Sequence, residues 1–138
     1  MNIFKQFKRN DDRIVNGAKF EVDDQAYMML ARMHESNPAF KAAAQRLMQE
    51  NQSRIDAIKD PEARTQAVSE LSYQAFAETC VKSWHKIEDG DNELECNAAN
   101  IDRIKRELPE LWEGMCKFAL SPSNYLGTFD EDASVKNL

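Results

Sequence analysis

Hydrophobic positions change period along this chain. In Gly17–Val22, Phe20 and Val22 alternate with Lys19 and Glu21, a spacing of two that predicts a short strand. Asp23-Asp24-Gln25 is turn-like. Ala26–Met33 fits two patterns: Tyr27, Met29, Ala31 and Met33 would share a strand face, while Tyr27, Leu30 and Ala31 fit a helix stripe. Composition favours helix there. Position favours a hairpin with Gly17–Val22, because a lone strand has no partner.

From Asn37 the period becomes helical. Asn37 suits an N-cap and Pro38 a first helical position. Phe40, Ala44, Leu47, Met48, Ile55 and Ile58 recur at helical spacing, predicting a helix to about Ala57. Asp60-Pro61 repeats the start signal. The stripe Ala67, Leu71, Ala75, Cys80 and Trp84 predicts a helix from Pro61 to about Lys86, widened by Val68, Tyr73, Phe76 and Val81. That width implies a central helix packed on two sides. Glu88–Glu95 reads as an acidic solvated loop or short hairpin. Asn97 caps the next helix, with Ile101, Ile104 and Leu108 buried, and Pro109 restarts the register for Leu111, Trp112, Met115, Phe118 and Ala119. Ser121-Pro122 begins a further turn or short helix. The expected architecture is a mainly α domain of four to five helices with a short N-terminal β-hairpin. Residues 1–16 are expected as a flexible arm, 17–127 as one domain and 128–138 as an acidic mobile tail.

Composition narrows the class. A chain of 138 residues suits one domain. Its net charge of −6 gives no broad basic face for nucleic acid. No stretch approaches the roughly 20 apolar residues of a membrane helix, and no apolar run follows the basic residues of Met1–Arg13 as a signal peptide requires. Cys80, Cys96 and Cys116 contain no CxxC pair and point to free thiols in a reducing compartment.

Catalytic chemistry is poorly supported. His34 and His85 are the only histidines. On a helix, Cys80 and His85 would lie about 140° apart, outside nucleophile–base contact. Asp89, Asp91 and Glu93 copy the start of a calcium loop, but Leu94 and Asn100 stand where glycine and glutamate are required. No phosphate-cradling glycine motif and no nucleophile elbow is present. No enzyme activity, metal or cofactor is expected. Trp84 and Trp112 sit on core stripes. Met28, Met29 and Met33 read as core filling, or else as an adaptable surface. Tyr125, Leu126 and Phe129 follow the last clear helix, and either pack back on the bundle or form a docking segment.

Several pieces occur in a fixed order: Ala75-Phe76-Ala77-Glu78-Thr79 leading to Val81-Lys82-Ser83-Trp84, then Asp89-Gly90, Asn97-Ala98-Ala99-Asn100, Leu108-Pro109-Glu110-Leu111 and a terminal Lys136-Asn137. Upstream, Ser36-Asn37-Pro38-Ala39-Phe40 follows the candidate hairpin. Together they resemble the tail assembly chaperones of long-tailed bacteriophages, over about Gly17 to Asn137. Cys96 and Leu138 depart from that pattern. The resemblance implies a non-enzymatic protein of the host cytoplasm, absent from the finished virion. Its partners would be the tape-measure protein, kept soluble, and tail-tube subunits, helped to assemble. It implies neither nucleic-acid nor membrane binding and leaves self-association open. Tyr125, Leu126 and Phe129, with the acidic Asp130, Glu131 and Asp132, are then the expected partner contact. Two alternatives are a structural head–tail or tail-terminator component of the virion, and a small phage-encoded inhibitor of a host enzyme that uses the acidic Glu88–Glu95 cluster.

Overall fold

A computed structural model of the chain describes residues 1–127. Two short helices open it, α1 (Ile3–Gln6) and α2 (Asp11–Asn16). Strands β1 (Ala18–Glu21) and β2 (Tyr27–Leu30) come next, followed by helices α3 (Pro38–Asp56) and α4 (Pro61–Thr79). Then come β3 (Val81–His85), a minimal hairpin of β4 (Glu88–Asp89) and β5 (Asn92–Glu93), helices α5 (Ala98–Glu107) and α6 (Pro109–Leu120), and a single 3₁₀ turn, Pro122–Asn124. The expected flexible arm therefore carries α1 and α2, and Ile14 of α2 is buried.

The fold is mixed α/β, which overturns the mainly α expectation: 57% of the described residues are helical and 15% are strand, in five strands of two antiparallel sheets. The difference arises largely in Pro61–Lys86. The helix stops at Thr79, whose hydroxyl bonds back to the Ala75 carbonyl at 2.7 Å. Val81–His85 then pairs antiparallel with β2, placing β2 at the centre of a β1-β2-β3 sheet. Val81 and Trp84 suit a pleated surface, and the open edge of β2 supplies the ladder partner that decides between strand and helix. The register slips between Met29 and Leu30, leaving Lys82 as the extra residue of a bulge.

Ala18, Met28 and Leu30 are buried on the sheet's inner face. Phe76 and Met115 are fully enclosed in the same core as Met28 and Leu30. Burying each such side chain contributes about 1.5–3 kcal/mol. A smaller cluster of Ile14, Ala18 and Tyr125 joins the main core through Phe118. The opposite sheet face carries Lys19, Tyr27 and His85, with the Lys19 ammonium 4.6 Å above the Tyr27 ring.

Candidate partner-binding groove

Helices α4, α5 and α6 meet without closing. Caps set their start points: Asp60 accepts from the Ala63 amide at 3.3 Å to open α4, and Asn97 from the Asn100 amide at 2.9 Å to open α5. Pro109 starts α6 directly after α5, so the chain turns back and α5 packs on α6. Trp112, Cys116 and Leu120 recur every fourth residue of α6 and share one face. Facing them, Tyr73 of α4 forms the other wall of a groove of about 680 Å³. A second groove, about 450 Å³, continues between α4 and α5 over Leu71, Ala77 and Ile101.

Glu70, Lys105 and Trp112 line both grooves. The Lys105 ammonium lies 3.4 Å from a Glu70 carboxylate oxygen and 5.8 Å from the centre of the Trp112 ring. This pair bars the passage between the grooves. Both side chains are substantially exposed, and such an ion pair contributes only about 0–1 kcal/mol. Glu113 and Lys117 add charges of both signs around the groove.

The expected contact residues divide. Tyr125 is fully enclosed; its hydroxyl donates to the Leu30 carbonyl at 2.8 Å and its ring meets Phe118 edge-on at 6.2 Å. It packs back on the bundle. Leu126 forms an isolated antiparallel bridge with Arg9 and, with Phe7 and Gly127, lines a separate groove of about 540 Å³ against the N-terminal helix. Phe129, Asp130, Glu131 and Asp132 lie outside the described residues. Met28 and Met33 are core residues, whereas Met29 is half-buried on the open sheet face. The sequence weighs Trp112 toward the core over a binding hot spot; it is nearly enclosed and also lines both grooves. The available signal was the extra pair Cys116 and Leu120, apolar residues left over once one stripe of α6 is assigned.

The other candidate chemistry is now placed. Cys80 ends α4, is fully buried, and contacts the Arg32 carbonyl at 3.6 Å; burial pushes its thiol up to about 11. His85 lies on the open sheet face against Tyr27, with ring centres 5.2 Å apart. The two sit in different environments and do not meet. Asp89 instead pairs with Arg103 of α5 at 2.8 Å. Among the described residues, no group of three or more histidine, cysteine or acidic side chains is placed to hold a metal ion, and no helix is long and apolar enough to cross a membrane.

A scan against protein-family models and searches of the curated proteins and of the solved structures find no match to this chain.

Proposed function

We propose that this chain is a tail assembly chaperone of the kind used by long-tailed bacteriophages, and that it holds an amphipathic helix of the tape-measure protein in the α4–α5–α6 groove. The observation that carries this is the pair of grooves that share Glu70, Lys105 and Trp112 as lining residues, with the Lys105–Glu70 ion pair at their junction. A tape-measure helix carries apolar stripes that aggregate when exposed, and helix-in-groove docking covers such stripes. Trp112, Cys116 and Leu120, each one turn apart along α6, would take anchors of matching spacing, with Tyr73 on the facing wall. The net charge of −6 would keep the complex soluble. The ordered motifs from Ala75 to Asn137 support the same assignment. In that role the chain acts in the host cytoplasm, helps recruit tail-tube subunits and is left out of the virion.

The test is co-expression with the tape-measure protein of the same phage, followed by size exclusion with light scattering. A soluble complex is expected where the tape-measure protein alone precipitates. Leu120→Glu, at a residue 50% exposed, should leave the fold intact and abolish that complex. A tape-measure protein that precipitates equally with and without this chain would overturn the proposal.

A further inference from the structure

Arg32 is a cation inside the protein, only 6% exposed. Its position is fixed by the backbone on either side. The amide of Ala31 bonds to the Cys80 carbonyl, that of Arg32 to Ile14 and that of Met33 to Ala119, so three elements pin three consecutive residues. One guanidinium nitrogen, Nη1, donates to Ser36 Oγ at 3.1 Å, while Nε finds no partner. Among the described residues, no carboxylate is paired with it. A buried guanidinium left this way is costly, because its lost hydration is not replaced.

Its neighbours add hydrogen-bonding groups and, at Arg9, a second positive charge. Ser36 Oγ lies 2.9 Å from His34 Nδ1, and the Ser36 amide donates to the same nitrogen at 3.0 Å. Nδ1 therefore accepts, which leaves Nε2 of the neutral ring as the N–H donor. The His34 ring is held below its ordinary pKa, first by burial, then by Arg32, with Arg9 also lowering it and Glu35 opposing. Arg9 reaches this cluster because Leu126 bridges to it and the Asn10 amide bonds to the Tyr125 carbonyl at 3.0 Å. Helix α3, 19 residues long, begins at Pro38, two residues after Ser36. The side chain of its N-cap residue, Asn37, does not cap it; the Asn37 amide is turned instead onto the Arg32 carbonyl at 3.0 Å. The positive end of the helix thus starts two residues from Ser36.

We propose that Arg32, Arg9 and His34, at the N-terminus of α3, form a binding site for an oxyanion. Arg32 supplies the buried fork that fits a carboxylate or phosphate edge. His34 Nε2 and Arg9 supply donors at the rim. This site lies apart from the groove and does not depend on the chaperone assignment. Two sources offer the chemistry. One is a free or partner-borne phosphate. The other is the chain's own Asp130, Glu131 and Asp132, which begin three residues beyond Gly127, roughly 10 Å of extended chain. Gly127 donates its amide to the Lys8 carbonyl, next to Arg9.

The test follows the His34 ring and the Ser36 amide by NMR in the full chain while inorganic phosphate is added at constant ionic strength. A second full-length protein carries Asp130→Asn, Glu131→Gln and Asp132→Asn. The neutralised protein should bind phosphate saturably, with the His34 titration midpoint moving up on binding. If the chain's own carboxylates are the occupant, the unaltered protein binds phosphate more weakly than the neutralised one. If the anion comes from outside, the two bind alike. Arg32→Gln should weaken phosphate binding by about tenfold or more. Should that variant fail to fold, Arg9→Gln and His34→Gln at the exposed rim should each weaken it several-fold. An absence of saturable binding in both full-length proteins, or phosphate affinity unchanged by all three substitutions, would overturn the proposal.

Discussion

The Tyr125 hydroxyl donates to the Leu30 carbonyl at 2.8 Å, joining residues 95 apart in sequence. Leu30 ends the central strand, and its carbonyl points to where α2 and the 3₁₀ turn converge. One phenol thus ties the last described turn to the middle of the sheet. Burial, first, and the nearby Cys80 push its ionisation well above the ordinary range, so it stays a neutral donor.

Tyr125→Phe should cost about 1–3 kcal/mol, since the ring still fits but a buried carbonyl loses its donor. Urea unfolding should show a lower midpoint with an unchanged slope. Under the proposed function, binding to the tape-measure protein should persist. If affinity fell while stability held, Tyr125 would be a partner contact and not a structural tie.

Gly17 joins α2 to β1 with φ +115°, a conformation L side chains rarely adopt. A Cβ there would sit 3.1 Å from the Met29 carbonyl carbon and 3.2 Å from the Leu30 amide nitrogen, both backbone atoms of the central strand. Gly17→Ala should therefore destabilise by about 1–3 kcal/mol. Gly90, at φ +61° in the β4–β5 turn, meets nothing within 4 Å. Gly90→Asn should be nearly neutral, because asparagine tolerates the left-handed region. Thermal melts of the two variants side by side distinguish crowding from conformation alone.

The three thiols should separate by rate. Burial drives Cys80 up to about 11 and Cys116 up to about 12, so neither forms appreciable thiolate near neutrality. Cys96 is half-buried, precedes α5 and is raised by burial as well. Labelling the native protein with an aromatic disulfide should modify Cys96 first, and the other two only as the protein unfolds. Equal rates for all three would mean that the core opens locally far more readily than its packing implies.

The starts of α3 to α6 were legible because they depend on local chemistry, whereas those of α1 and α2, capped by Asn2 and Asn10, were read as a flexible arm. Asn37-Pro38, Asp60-Pro61, Asn97 and Pro109 each stand at a helix entry in the structure. The end of α4 was not legible. Cys80 and Trp84 are four apart and continue the apolar stripe of α4, yet a partner strand more than 50 residues upstream claims Val81–His85. No local pattern reports that pairing. The groove was hidden for a related reason. Tyr73 reads as one more position widening the stripe of α4, and only the fold places it beside Trp112 and Leu120 of α6. Arg32 is the extreme case: in sequence it is one of 18 basic residues, and only the burial of its backbone on three sides makes it unusual.

Acid should loosen the hairpin through Asp23. Its Oδ1 accepts from the Gln25 amide at 2.8 Å and the Ala26 amide at 2.7 Å, closing the turn between β1 and β2. Those two bonds favour the carboxylate and lower its pKa below the ordinary 3.8. The folded chain thus binds fewer protons here than the unfolded chain over the interval between the two values. The stabilisation is fully present above 3.8 and is lost as pH falls through the folded value. Asp23→Asn keeps an oxygen to accept both amides but cannot carry the charge. The variant should be less stable than the parent near neutrality, and that gap should narrow as pH drops below the ordinary carboxylate range. Urea melts of both proteins across the acid limb measure it directly. A gap that stays constant with pH would mean the turn depends on the shape of the side chain and not on its charge.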